Sequence, residues 1–219
     1  MSKTITVKGV GKVSASPDLL VLSMVLESQN LIYEKAMDDA AKHIEQLNTA
    51  LESVGFEKKS VKTTNFNVRT DYEYKRTKNG DNERVFNGYV VKHNLKLEFD
   101  FDSKLLAKTL SVVGSCLAHP QLTISFTVKD PTAIKEEMLR LAVENAKRKA
   151  EILCDAAGKQ LGELLSIDYN WGELNIYSDT RYDMEESCLA APMAKCAEID
   201  IEPDDIDVSD TVTFVWEIK

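Results

Sequence analysis

From Tyr89 to Asp100 the chain alternates with a period of two. Tyr89, Val91, His93, Leu95, Leu97 and Phe99 take one face, and Val90, Lys92, Asn94, Lys96, Glu98 and Asp100 take the other. Successive side chains of a strand point to opposite sides, so this stretch can satisfy both sets only as a β-strand with one face in a core and the other wet. Leu122, Ile124, Phe126 and Val128 repeat the pattern against Gln121, Thr123, Ser125, Thr127 and Lys129. Half-buried strands of this kind require a second layer to cover their apolar face, which restricts the chain to sheet-on-sheet or sheet-and-helix architectures.

Helical periods supply that layer. Tyr33, Met37, Ala40, Ile44, Leu47, Leu51 and Val54 recur at spacings of four and three, with Asn30 as the expected N-cap and Gly55 as the stop. The stripe is too short for a coiled coil and carries Ala40 in its seam, so packing on a sheet is expected. A short helix is predicted from Asp102 or Ser103 to Val113, ended by Gly114. A longer one starts at Asp130-Pro131, cap then proline at the first turn, and runs to Gly158 with Met138, Ala142, Ala146, Ala150, Leu153 and Ala157 as its stripe. Small residues there allow close approach to a neighbour.

The remaining segments read as strands and turns. Thr4 to Val13 and Leu19 to Leu26, joined by Ser14 to Asp18, are predicted to form a hairpin. Val61 to Tyr74 and Arg84 to Phe101 form a second, unusually long hairpin around the charged connection Lys75 to Glu83, which contains Asn79-Gly80. Strands are also expected at Leu164 to Trp171 and Val208 to Ile218. Between these last two, about 172–207, lies an acidic stretch without a clear period, expected to be a mobile loop. The predicted order is β-β-α-β-β-α-β-α-β-β, an α+β fold with a largely antiparallel sheet, helices packed on one face and a long central hairpin, built as one domain over residues 1–219.

Charge and length narrow the function. With 27 basic against 36 acidic residues the net charge is −9, which opposes general affinity for nucleic acid or an anionic membrane. No apolar run approaches the roughly 20 residues of a membrane span. The opening Met1-Ser2-Lys3-Thr4-Ile5 lacks a signal-peptide succession, so a cytoplasmic location is expected. The four cysteines, Cys116, Cys154, Cys188 and Cys196, are irregularly spaced and read as reduced thiols, with Cys188 and Cys196 as the pair that could close under oxidation.

Each candidate site also has a simple packing role open to it. Gly9-Val10-Gly11 lacks the third glycine and following helix of a dinucleotide fingerprint, and reads as a turn, a bulge or a close backbone approach. Cys116 and His119 could form a thiolate–imidazole pair or half a metal site, but His43 and His93 stand at no spacing that recruits them, so capping and packing are expected. His93 lies on the apolar face of its strand and reads as a hydrogen-bonded core histidine. The carboxylates from Asp179 to Asp207 lack the spacing of a calcium loop and read as solvated. Tyr72, Tyr74, Phe86 and Tyr89 on the long hairpin, interleaved with Lys75, Arg76 and Arg84, could stack single-stranded nucleic acid, but against a net charge of −9 they read as anchors of a subunit contact.

Four motifs, in order and separated by the right elements, resemble the SIMPL-domain family of YggE-like and periplasmic immunogenic proteins. They are Ile5 to Asp18 with its Gly-x-Gly and Pro-Asp; Thr64, Phe66, Tyr72 and Tyr74 followed by Gly88-Tyr89-Val90-Val91 and Asn94-Leu95; Ala142, Ala146, Lys149-Ala150, Leu153, Ala156-Ala157-Gly158 and Leu161-Gly162; and Ile201-Glu202-Pro203 leading to Ile206 and Val208, with Asp204 where the family often has glycine. The resemblance implies a shared fold and a tendency to oligomerise, a loose link to oxidative stress and the cell envelope, a periplasmic location in many bacterial relatives, and no catalytic residue or cofactor. The expected function is therefore that of a non-enzymatic, self-assembling binding or scaffolding component, a homo-oligomer that can take a protein partner, without nucleic acid or membrane insertion. A thiol-based redox-responsive protein using Cys188 and Cys196 is the alternative, and a hydrolase or metalloenzyme would need Cys116, His119, His93 or the acidic run to converge.

Overall fold

The structure, a computed structural model, describes residues 3–76, 82–169, 172, 174–184 and 201–219. Along them run β1 (Lys3–Ala15), β2 (Leu19–Asn30), α1 (Tyr33–Glu52), β3 (Lys62–Arg76), β4 (Asn82–Asp100), α2 (Ser103–Gly114), β5 (Gln121–Thr127), α3 (Pro131–Ala156), β6 (Leu161–Asp168), β7 (Tyr177–Met184) and β8 (Ile206–Ile218). The fold is α+β, as expected, and the strands form two antiparallel sheets, ordered β1-β8-β6 and β3-β4-β2-β5-β7.

The strand pairing and the acidic stretch differ from what the residues predict. The first two strands do not form a hairpin: β1 pairs with the last strand, from Lys3↔Ile218 to Ala15↔Ile206, whereas β2 pairs with β4. The Ser-Pro-Asp turn signal is the same for a hairpin and for a chain leaving one sheet for another; here the Asp18 amide donates to the Thr127 carbonyl and its carboxylate accepts from the Lys129 amide at 2.8 Å. The acidic stretch also contains β7. Its sequence, Tyr-Ser-Asp-Thr-Arg-Tyr-Asp-Met, has no apolar alternation because its side-chain contacts are partly polar: the Ser178 hydroxyl donates to the carbonyl of Asp204, in the segment before β8, and Thr123 of β5 donates to the Asp183 carboxylate at 2.8 Å.

The chain gathers into two compact units, Met1–Asp18, Thr127–Asp179 and Pro203–Lys219 in one, Leu19–Phe126 and Thr180–Glu202 in the other. In the first unit α3 lies over β1 and β8. Its stripe of Ala142, Ala146 and Ala150 is buried against Val7, Val212, Phe214 and Trp216, and Met138, one turn before it, is buried too. The helix comes so near that a Cβ on Gly9 would fall 2.0 Å from the Ala142 carbonyl oxygen, and one on Gly11 1.8 Å from that of Met138. Of the readings offered for Gly9-Val10-Gly11, close backbone approach is the one realised, within an unbroken strand.

The second unit holds the larger core. Leu20, Leu22, Met24 and Leu26 of β2 oppose Phe99, Leu97, Leu95 and His93 of β4 and bury one face beneath Leu47 and Leu51 of α1 and Leu106, Leu110 and Val113 of α2. Each fully buried leucine contributes about 1.5–3 kcal/mol relative to exposure. The Asp102 carboxylate caps α2 by accepting from the Lys104 and Leu105 amides, and Asp130 caps α3 by accepting from the Thr132 amide. For α1 the cap differs from expectation: the helix begins after Ile32, while Asn30 accepts from the Ile32 amide at 3.2 Å and donates to Asp39. Further along, the small Ala36 and Ala40 let α1 settle on Val91 of β4, beside Val68 of β3 and Tyr89.

Candidate functional site

The long hairpin is made by β3 and β4, paired from Lys62↔Lys96 to Arg76↔Asn82. Strict alternation would put Phe86 and Tyr89 on opposite faces of β4. The register instead passes from Asp71↔Gly88 to Tyr72↔Phe86, leaving Asn87 as the extra residue of a bulge, with Gly88 at φ 126°. A bulge re-aims side chains, and glycine takes this φ without the penalty a Cβ would bring. Phe86 and Tyr89 thereby share one face.

On that face the rings form a chain. Tyr33, from the first turn of α1, meets Tyr89 at 5.5 Å between centroids; Tyr89 meets Phe86 at 5.3 Å; Phe86 meets Tyr72 at 5.7 Å, all edge-on. The Arg84 guanidinium sits over the Tyr72 ring, 3.8 Å from its centroid. Edge-to-face contacts of this kind hold aromatic side chains in fixed orientations. Three of the four predicted anchors, Tyr72, Phe86 and Tyr89, are thus brought into one array. Tyr74 extends it and is 69% exposed, whereas Phe86 retains 38% exposure.

Tyr33 and Phe66 also belong to this face and were not among the predicted anchors. Tyr33 read as a core position of its helical stripe, yet it stands at the helix start and is half exposed, next to exposed Leu31 and Ile32. That apolar triplet outside the helical period was the available signal. Phe66 meets His93 edge-on at 5.1 Å, and the His93 Nε2 shares a 2.8 Å hydrogen bond with the Thr63 hydroxyl. Partial burial lowers the His93 pKa below its usual value, because desolvation penalises the imidazolium. His93 is hydrogen-bonded as expected, but it is only partly buried and not a core residue. His43 is likewise engaged, its Nδ1 lying 2.7 Å from the Ser28 hydroxyl, which ties α1 to β2.

The opposite face of β3 carries charge. Arg69 pairs with Asp71 at 3.7 Å and Lys75 with Glu73 at 3.3 Å, while the Asp71 carboxylate also accepts from Asn87 at 2.8 Å and Gln29 at 3.3 Å. Among the described residues β3 is the outer strand of its sheet, so its other edge presents backbone donors and acceptors that no described strand pairs.

The other predicted residues are placed elsewhere. Cys116 is a buried free thiol lining an open groove of about 630 Å³ between α1 and α2, with Lys42, Glu45, Gln46 and Val112. His119 adopts φ 44° in the turn that follows, its amide donating to the Cys116 carbonyl. Asp179, Asp204, Asp205 and Asp207 border a small cavity with Ser14 and Tyr177, and Ser16 donates to Asp205 at 2.7 Å. Among the described residues no three His, Cys, Asp or Glu side chains are grouped to hold a metal ion. Cys188, Cys196 and the Asn79-Gly80 turn lie outside the described residues. Among those described, no helix is long and apolar enough to cross a membrane.

Comparison with known proteins agrees with the sequence motifs. The chain is 28% identical over 170 residues to the 26 kDa periplasmic immunogenic protein of Brucella melitensis, covering 74% of this chain and 65% of that protein. It is 23% identical over 169 residues to the uncharacterized protein YggE of Escherichia coli K12, covering 76% and 65%, and 24% identical to the interleukin-1 receptor-associated kinase 1-binding protein 1 of Mus musculus, covering 76% and 60%. The matches therefore span just under two thirds of the length of these relatives. The sequence model of SIMPL, described as a protein of unknown function (DUF541), matches residues 5–216, nearly the whole chain and both compact units. With that match joined to the glycine-bearing first strand, the long aromatic hairpin and the alanine-striped helix, the chain belongs to the SIMPL family.

Proposed function

We propose that this protein is a self-assembling binding or scaffolding component that carries out no chemistry of its own. The observation that carries this reading is the aromatic array of Tyr33, Tyr89, Phe86 and Tyr72, held in order by mutual ring contacts while Tyr74 and Phe66 beside it are exposed. Rings already fixed by their neighbours lose little freedom on docking, and aromatic residues are enriched at the centres of interfaces. Of the cations interleaved with them, Arg84 is engaged with Tyr72 and Lys75 with Glu73, which favours a protein surface over a phosphate backbone as the target. One relative is named for binding a kinase, in accord with a protein-binding role. Any part in oxidative stress would then be exercised through binding. We propose a cytoplasmic location, while two relatives are named as periplasmic; fractionation of cells making the native protein decides between the two.

Absolute mass by light scattering over a range of concentrations tests the central claim. The expected result is a species heavier than the 24.5 kDa chain, lightened when Tyr74 and Phe86 are both changed to Ser. A monomer at every concentration would overturn the proposal.

A further inference from the structure

We infer that the outer edge of β3 is a two-fold interface at which a second copy of this chain pairs its own β3 antiparallel to the first, with Thr70 opposite Thr70. The inference rests on the self-assembly reading above and specifies its geometry.

The contacts within the hairpin assign the two faces of β3. Phe66 against His93, Val68 in the cluster with Ala36, Ala40 and Val91, and Tyr72 against Phe86 put Phe66, Val68, Thr70, Tyr72 and Tyr74 on the face that bears α1. The Arg69–Asp71 and Glu73–Lys75 pairs put the odd-numbered residues on the other. In β3 the irregularity against β4 between Thr63 and Asn65 lies near its start, and the later bulge belongs to β4, so Asn65 to Arg76 is an uninterrupted run.

A two-fold axis perpendicular to the sheet keeps like faces together and makes each pairing occur twice. Centred on Thr70, it opposes Phe66 with Tyr74, Val68 with Tyr72, and Thr70 with itself on the apolar face. On the charged face it opposes Arg69 with Asp71, Asn67 with Glu73 and Asn65 with Lys75. Every opposed pair of charges is therefore of opposite sign. Neighbouring registers lack this property. Centring on Arg69 or on Asp71 faces that residue with its own copy, centring on Tyr72 opposes Asp71 with Glu73 and Arg69 with Lys75, and centring on Val68 leaves Arg69 and Asp71 facing asparagines. A shift by one residue sets the aromatic face against the charged one. Asp71 is held in position by Asn87 and Gln29 before any partner arrives.

The other long open edge does not offer this match. β1 carries Lys3, Lys8 and Lys12 as its charged residues, so antiparallel self-pairing can oppose only like charges. The two remaining edge strands, β6 and β7, have only eight residues each, and β6 has two register shifts against β8. β3 has 15 residues and no proline, and its central charges, unlike those of β1, find opposite charges across a two-fold axis.

Cysteine cross-linking tests the register. In a Cys188→Ser/Cys196→Ser background, Thr70→Cys places two thiols on directly opposed residues, whose Cα separation of about 4.5–5.5 Å lies in the disulfide range. Val68→Cys, four residues from its own copy across the interface, sits about 13 Å away and cannot bridge. The expected result is a covalent dimer from Thr70→Cys under mild oxidation and none from Val68→Cys. Arg69→Asp should raise the dissociation constant about tenfold or more, and Arg69→Asp/Asp71→Arg should restore it, since cross-strand charge pairs contribute up to about 1 kcal/mol each and are reversed in sign by the single change. If the unmodified protein assembles but Thr70→Cys does not link and Arg69→Asp leaves the mass unchanged, this interface is refuted while self-assembly stands. A monomeric parent chain refutes both.

Discussion

Replacing Gly9 with Ala should cost far more stability than its single methyl group suggests. The added Cβ would stand 2.0 Å from the Ala142 carbonyl oxygen and 2.8 Å from the Ala146 Cβ, whereas ordinary contact begins near 3.4 Å. To clear it, α3 and β1 must part by about 1.4 Å, and a gap of 0.5–1 Å already forfeits a quarter to a half of the dispersion attraction across a packed surface. The surface that loses contact includes Met138, Ala142 and Ala146, all at most 1% exposed, and Val7. Overpacking in a core costs about 1–3 kcal/mol, and here the obstacle is a helix carbonyl that cannot rotate away, so the expected loss is about 3 kcal/mol or more. With a urea slope of about 1–3 kcal/mol/M, the midpoint should fall by at least about 1 M. Gly172→Ala is the control, because none of the described residues lies within 4 Å of its Cβ, and should stay within about 0.5 kcal/mol of the parent. Ala146→Gly should not rescue Gly9→Ala, since the nearest obstacle is backbone. Equal midpoints for Gly9→Ala and Gly172→Ala would refute the close approach of α3 to β1.

Two further perturbations probe the second unit. Asp102→Ala removes the acceptor of the Lys104 and Leu105 amides and should cost about 1 kcal/mol in urea unfolding; an unchanged midpoint would show that water replaces the cap. For His93 the folded state has the lower pKa, so the unfolded chain takes up the proton first, and the stability present above the ordinary value of 6.5 is lost as pH falls below it toward the folded pKa. Urea midpoints measured from pH 8 to 5 should decline below pH 6.5 in the parent and decline less in His93→Gln; parallel curves would exclude this linkage.

Much of the architecture was legible because it is written in short-range periods. The two-residue alternation of Tyr89–Asp100 and Leu122–Val128, the helix stops at Gly55 and Gly158, and the Asp-Pro start of α3 are local consequences of backbone geometry, and each stands where the residues predict. The aromatic residues Tyr72, Tyr74, Phe86 and Tyr89 were legible as a group from composition and strand length. β7 was not, because its side chains make partly polar contacts, Ser178 with the Asp204 carbonyl and Asp183 with Thr123, and leave no hydrophobic period.

What the sequence alone determined is the set of elements and the apolar face of most of them, since both follow from spacing within a few residues. Which strands meet, and which side chains share a surface, required the tertiary structure. Pairing of β1 with β8 joins the two ends of the chain, and no local turn signal distinguishes it from a hairpin with β2. The bulge at Asn87 turns Phe86 to the face of Tyr89 and α1 brings Tyr33 beside them, so rings that alternation would scatter become one array. The physical reason is common to both: strand partners and bulges are chosen by contacts between residues far apart in the chain, where the total burial and hydrogen bonding of the sheet decide the outcome.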